Sequence, residues 1–139
     1  MTDPFHIQVV PARDHHPDQY RDYYEGYRAV ELRDERGMER GSIVWRLASG
    51  HSVEITECGI HNPNDRRKGR GRTLMDAALE DMQSYFQSIQ CKLRRVYLFC
   101  EDINHGGRAF YESCGFKPEA TLHNFYGDCS AVFYVLELD

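Results

Sequence analysis

The segment Cys58 to Leu74, CGIHNPNDRRKGRGRTL, marks a change in the character of the chain. Before it, Val53 to Ile60 (VEITECGI) reads as a strand, and Asn62-Pro63-Asn64 breaks that strand. After it, Leu74, Ala78, Met82, Tyr85 and Ile89 recur at three- and four-residue steps, which predicts an amphipathic helix from about Arg70 to Gln87. Between them lies a loop with glycines at 69 and 71. Glycine lets a backbone come close to a ligand. The leading N–H groups of a helix lack intrahelical partners, and with the positive end of the helix dipole they form an anion site. Arg66, Arg67, Lys68, Arg70 and Arg72 add formal charge, and a guanidinium grips phosphate with two donors. Taken alone, RRKGRGR also reads as a solvated basic loop, a localisation signal or a nucleic-acid patch. It is neither a Walker loop nor a GxGxxG dinucleotide loop, because the residues those motifs need are absent.

Upstream, Phe5 to Val10 is a candidate strand closed by Pro11. Residues 12–25 are polar, with room for about two helical turns. Tyr27 to Leu32 and Ser42 to Leu47 flank the charged turn Arg33 to Glu39, so 26–60 reads as an antiparallel meander. Downstream, Val96 to Cys100 (VYLFC) is a continuous apolar run of strand length, which predicts a central strand buried on both faces. Asn104 to Ser113 predicts a short helix stopped at Gly115. A segment from Phe116, a Gly127-Asp128 turn and a last strand Ala131 to Leu138 follow. The order β–β–β–β–α–β–α–β–β gives a mixed α/β sheet in one domain, residues 1–139.

The 139 residues suit a single domain, and 12% aromatic content argues against disorder. No apolar run is long enough to cross a bilayer, and no basic start precedes a long apolar stretch. Five cysteines without CxxC spacing read as reduced, mostly buried thiols in a cytoplasmic protein, and no metal site is indicated. The net charge is −5, but 66–72 alone carries five basic residues and no acid, so the rest of the chain carries −10. A small cationic spot on an anionic body suits a compact polyanion rather than a nucleic acid.

Two motifs give this loop a context. Arg66-x-x-Gly69-x-Gly71 at a strand-to-helix junction resembles the acetyl-CoA pyrophosphate loop of the GNAT superfamily of N-acetyltransferases. About forty residues on, NHGGRAFYESCGF (Asn104, Ala109-Phe110-Tyr111, Gly115-Phe116) resembles the second motif of that family, with Gly107 where alanine is common. Phe125-Tyr126-Gly127-Asp128…Ala131 is similar to the turn before the family's last strand. Together the matches span 53–138.

The resemblance implies a mixed, mostly antiparallel sheet whose fourth and fifth strands, here Val53–Ile60 and Val96–Cys100, splay apart to admit pantetheine. It implies that main chain near Cys58 and Ile60 pairs with pantetheine and polarises the thioester carbonyl. The loop Arg66, Arg67, Lys68, Gly69, Arg70, Gly71, with Arg72, would hold the pyrophosphate, and Asn104 would touch the cofactor. Tyr111 matches the tyrosine that protonates the departing thiolate, and Tyr126 is a second candidate. For the base that accepts the amine proton, Glu57 is favoured over Glu54. Strict alternation sets those two on opposite faces, which a bulge would change. Glu101 and His105 read as ordinary surface residues. Residues 12–25 are too short for the two helices that wall the acceptor site in typical members, so the wall is reduced or a second subunit completes it. The implied activity is acetyl transfer from acetyl-CoA to a primary amine, of a small molecule or a protein, with a homodimer left open. Two rivals are a non-catalytic acyl-CoA-binding module and a nucleic-acid or protein interaction module using 66–72.

Overall fold

The computed structural model describes residues 5–15, 26–60 and 69–139. Among them are seven strands and three helices: β1 (His6–Pro11), α1 (Ala12–His15), β2 (Tyr27–Arg33), β3 (Glu39–Ser49), β4 (Ser52–Ile60), α2 (Arg70–Ser88), β5 (Arg95–Glu101), α3 (His105–Ser113), β6 (Lys117–Leu122) and β7 (Ala131–Glu137). The strands form one mixed sheet in the order β1-β2-β3-β4-β5-β7-β6. Every neighbouring pair is antiparallel except β4 and β5. The mixed sheet and the parting of strands expected from the resemblance are present, and the element order differs from the expected one only by α1, a helix between the first two strands. Of the acceptor wall, α1 is a single four-residue helix, and 16–25 lie outside the described residues.

The sheet has two unlike faces. On one, Val30, Ile43, Trp45, Val53, Ile55, Val96, Leu98 and Tyr134 form the core with Leu74, Met75, Ala78, Met82 and Phe86 of α2. The helix meets the sheet through these residues. Tyr85 is only half-buried and Ile89 is exposed at the frayed end, although both fall in the expected stripe. Asp81 is also on the inward side of α2. It accepts two bonds from Arg28 (3.0 and 2.9 Å) and one from the indole of Trp45 (3.1 Å), so both oxygens of this partly buried carboxylate are partnered.

The other face is covered over β2 and β3 by α1, where Ala12 packs on Ala29 and Val44. There Glu31 is held by His15 and Arg33. Over β5 and β7 no described helix covers it. This corrects the expectation that Val96–Cys100 is buried on both faces. Val96, Leu98 and Cys100 point into the core, while Tyr97 and Phe99 are half-buried on the opposite side. A continuous apolar run mimics a two-sided core when one face is covered by aromatic rings of its own sheet. Here Phe133 of β7 stacks on Phe99 (centroids 5.3 Å apart) and meets Tyr97 edge-on at 5.5 Å.

Candidate active site

The site begins with a ladder that stops early. β4 and β5 pair only at Ser52–Arg95, Val53–Val96 and Glu54–Tyr97. Both strands then run on, to Ile60 and to Glu101, without pairing with each other. A parallel pair that stops pairing part-way leaves a wedge between the strands, and the main chain of β4 along it can accept another extended chain.

A bulge shapes the β4 bank of the wedge. Trp45 pairs with Ile55 and Val44 with Glu57, so Thr56 is the extra residue. Its consequence follows from the register. Arg46 and Val44 lie on one face of β3, so their partners Glu54 and Glu57 share a face of β4. The two carboxylates that strict alternation would separate are thus brought to the same side, opposite α2. Cys58, paired with Ile43, is turned to the core side.

Of the two glutamates, Glu54 is held by a guanidinium. Glu54 takes both Nε and Nη2 of Arg46 on one oxygen, at 2.8 and 2.6 Å. Its charge is committed to a guanidinium, which that bond makes still harder to deprotonate. Glu57 is half-buried beside the opening of the wedge.

Beneath the wedge on the core side lies Tyr111, in the second turn of α3 and packed edge-on against Phe110 and Phe116. Its hydroxyl donates to the sulfur of Cys58. Burial, then the neighbouring thiol, push the phenol far above its ordinary range. Burial likewise pushes the Cys58 thiol up, to about 11. Tyr111 therefore keeps its proton at any physiological pH, and its O–H is aimed at a sulfur atom. The geometry, an O–H within reach of sulfur, is what a donor to a departing thiolate needs.

At the mouth of the wedge is the start of α2. Gly69 caps it in the left-handed conformation (φ 75°) that favours glycine, and its carbonyl takes both the amide and the hydroxyl of Thr73 at 3.0 Å. Among the described residues no side chain caps this end, and no acid lies in the first turn, so the dipole there suits an anion. Gly71 has a further reason to be glycine: a Cβ there would stand 3.0 Å from the ring of Phe110. It lets α2 and α3 close up, which brings the anion-facing helix end and Tyr111 together.

The basic residues divide. Arg66, Arg67 and Lys68 lie outside the described residues. The Arg70 guanidinium stacks over the ring of Phe5 at 3.8 Å. Arg72 bonds Asp76 at 3.2 Å and the Ser113 carbonyl at the end of α3 at 3.1 Å. Asn104 is the N-cap of α3, its side-chain oxygen taking the Gly107 amide at 3.0 Å. A Cβ at 107 would meet that side chain at 2.5 Å, which gives a structural reason for glycine where alanine is common. Tyr126 is exposed on the β6–β7 turn beside Phe125. The contacts of Tyr111 with Cys58 and of Phe110 with Gly71 were not legible in the sequence, because each joins positions far apart in the chain.

The sequence profile of the acetyltransferase (GNAT) family matches residues 9–116. The chain belongs to the GNAT family of acetyltransferases. No curated protein matches it in sequence, but solved structures share its fold from end to end. A GNAT family acetyltransferase from Elizabethkingia anophelis, with acetyl-CoA bound, superposes with a TM-score of 0.76 at 14% identity, over 99% of this chain and 100% of the other. The IAA acetyltransferase of Bacillus cereus gives 0.79 at 15%, over 96% and 99%. The ribosomal-protein-S18-alanine N-acetyltransferase of Escherichia coli gives 0.73 at 16%, over 97% and 94%. At these identities the likeness is one of fold. Among the described residues, no helix of this acetyltransferase is long and apolar enough to cross a membrane.

Proposed function

We propose that this acetyltransferase moves the acetyl group of acetyl-CoA to the nitrogen of a primary amine by direct attack in a ternary complex. The observation that carries this is the parted β4–β5 pair, with a carboxylate, Glu57, on one side and a partly buried, protonated phenol, Tyr111, on the other. A GNAT neighbour of the same fold holds acetyl-CoA, which supports that co-substrate here. The five free cysteines suit a reducing, cytoplasmic setting.

Pantetheine would lie along the main chain from Cys58 to Ile60 as an added strand. The pyrophosphate would meet the loop Arg66–Gly71 and the open end of α2. A β4 amide just past the bulge would polarise the thioester carbonyl. An alkyl ammonium with a pKa near ~10.4 must first lose a proton. Glu57 takes it, directly or through water. The free nitrogen attacks the carbonyl carbon; as the C–S bond breaks, the Tyr111 hydroxyl gives its proton to the departing sulfur, and the nitrogen releases its second proton through water, which restores the phenol and leaves the neutral amide. Glu54, bound by Arg46, orients the strand rather than accepting the proton.

The test is steady-state acetyl transfer across an amine panel. Tyr111→Phe and Glu57→Gln should each lower kcat about a hundredfold and leave acetyl-CoA binding intact. Glu54→Gln should lower it far less. Equal losses in both glutamate variants, or wild-type kcat in Tyr111→Phe, would discard these roles. Acetyl-CoA binding with no product from any amine would instead indicate a binding module.

A further inference from the structure

The face of the sheet that no described helix covers carries an aromatic surface that the transfer chemistry does not use. Tyr97 and Phe99 of β5 and Phe133 of β7 lie side by side on it. The β6–β7 turn folds back to extend the row: Phe125 stacks on Phe99 at 5.8 Å with ring planes 13° apart, and Tyr126 meets Phe125 edge-on at 5.1 Å. The turn is built to hold this position. Ser130 Oγ accepts from the Asn124 amide, the Cys129 carbonyl from Tyr126, the Asn124 carbonyl from Gly127, and the Asp102 side chain from Ser130. Asn124 sits in the left-handed region at φ 54°. Even so, Phe125 is 56% and Tyr126 41% exposed. A rigid turn that displays two large rings to water has the character of a binding surface rather than of a core.

Its position indicates the occupant. Phe99 borders the wedge on the β5 side, facing the same way as Glu57 on the β4 side. Glu101, next on that face of β5, lies close enough to Tyr126 to help raise its pKa, after burial. A row of aromatic rings thus runs along this face from beside the wedge and has a carboxylate near each end. Ring faces and carboxylates together complement an ammonium carried on an aromatic body. We infer that the acceptor is an arylalkylamine, its ring packed against Phe125 and its amine directed to Glu57. This rests on the acetyl-transfer reading, since the amine is its acceptor.

The experiment reads binding and turnover separately. Saturation-transfer NMR on the protein with CoA would compare 2-phenylethylamine, hexylamine and spermidine, and the same three would be assayed as acceptors. Phe125→Ala, at a mostly exposed ring, should fold as the parent does and keep the thermal shift given by acetyl-CoA. The expected result is tightest binding and highest kcat/KM for 2-phenylethylamine, with a roughly tenfold loss in Phe125→Ala for that amine alone. Equal or better binding of hexylamine or spermidine overturns the inference, as does a Phe125→Ala protein that binds 2-phenylethylamine like the parent. So does a parent dimer that Phe125→Ala dissociates in sedimentation, which would assign the rings to a second copy. Binding of 2-phenylethylamine without any acetylation upholds the surface and sinks the transferase reading. Turnover of other amines without that binding does the reverse.

Discussion

The hydrogen bond from the Tyr111 hydroxyl to the Cys58 sulfur joins two groups that burial holds neutral. That has a consequence for stability. The Cys58 thiol ionises near 9.0 when exposed and near 11 when folded. Between those values the unfolded chain has lost a proton that the folded chain keeps, so stability is complete below pH 9 and falls as pH rises toward 11. By pH 10 about one unit of that separation is expressed, worth about 1.4 kcal/mol. Urea unfolding of the parent and of Cys58→Ala at pH 8 and pH 10 should show the parent losing about that much more than the variant. Equal losses would mean that the thiol is not held neutral. At this scale the sequence was legible by residue type but not by partner. Asn104 and Tyr111 stand out in their motif, and α3 carries both. That the Asn104 side chain folds over Gly107, and that Tyr111 finds a thiol on β4, depend on distances no spacing rule encodes.

α2 was the most legible of the elements, because nineteen residues repeat one pattern and errors at single positions average out. The bulge at Thr56 was not, although the reading allowed for one. An extra residue is defined only against the partner strand, and the turn Arg33 to Glu39 and the Ser49–Ser52 connection leave that register free by a residue. Yet this one residue decides that Glu54 and Glu57 share a face. The attachment of α2 to the sheet also depends on one charged residue in the apolar stripe. Asp81→Ala would strip Arg28 of its carboxylate and leave the indole N–H of Trp45, 1% exposed, without an acceptor. The expected cost is about 2 kcal/mol in chemical denaturation. Asp81→Asn, which keeps an acceptor for the indole, should cost less. Equal costs would assign the effect to the Arg28 pair alone.

Over the whole molecule, the meander of β2, β3 and β4 could be read from the alternation of elements, whereas the adjacent β4 and β5 followed only from the family resemblance. The depth of the wedge could not be read, since it reflects the twist of two strands whose pairing ends after three rungs. The charge distribution completes the reasoning. An anionic body with a cationic loop at the open end of a helix should prefer a ligand that combines a compact polyphosphate with an extended chain for the wedge. Acetyl-CoA at a hundred times its Kd should add roughly 2.7 kcal/mol of stability, which raises Tm by about 10 °C in a domain of this size. Calorimetry with acetyl-CoA, CoA and inorganic triphosphate at equal concentrations separates the contributions. Both CoA species should give the full shift, because both lay pantetheine against Cys58 to Ile60, and triphosphate should give a small one that salt removes. A triphosphate shift equal to that of acetyl-CoA would mean that the loop binds phosphate and the wedge contributes nothing. The acetyl-transfer proposal would then lose its cofactor site.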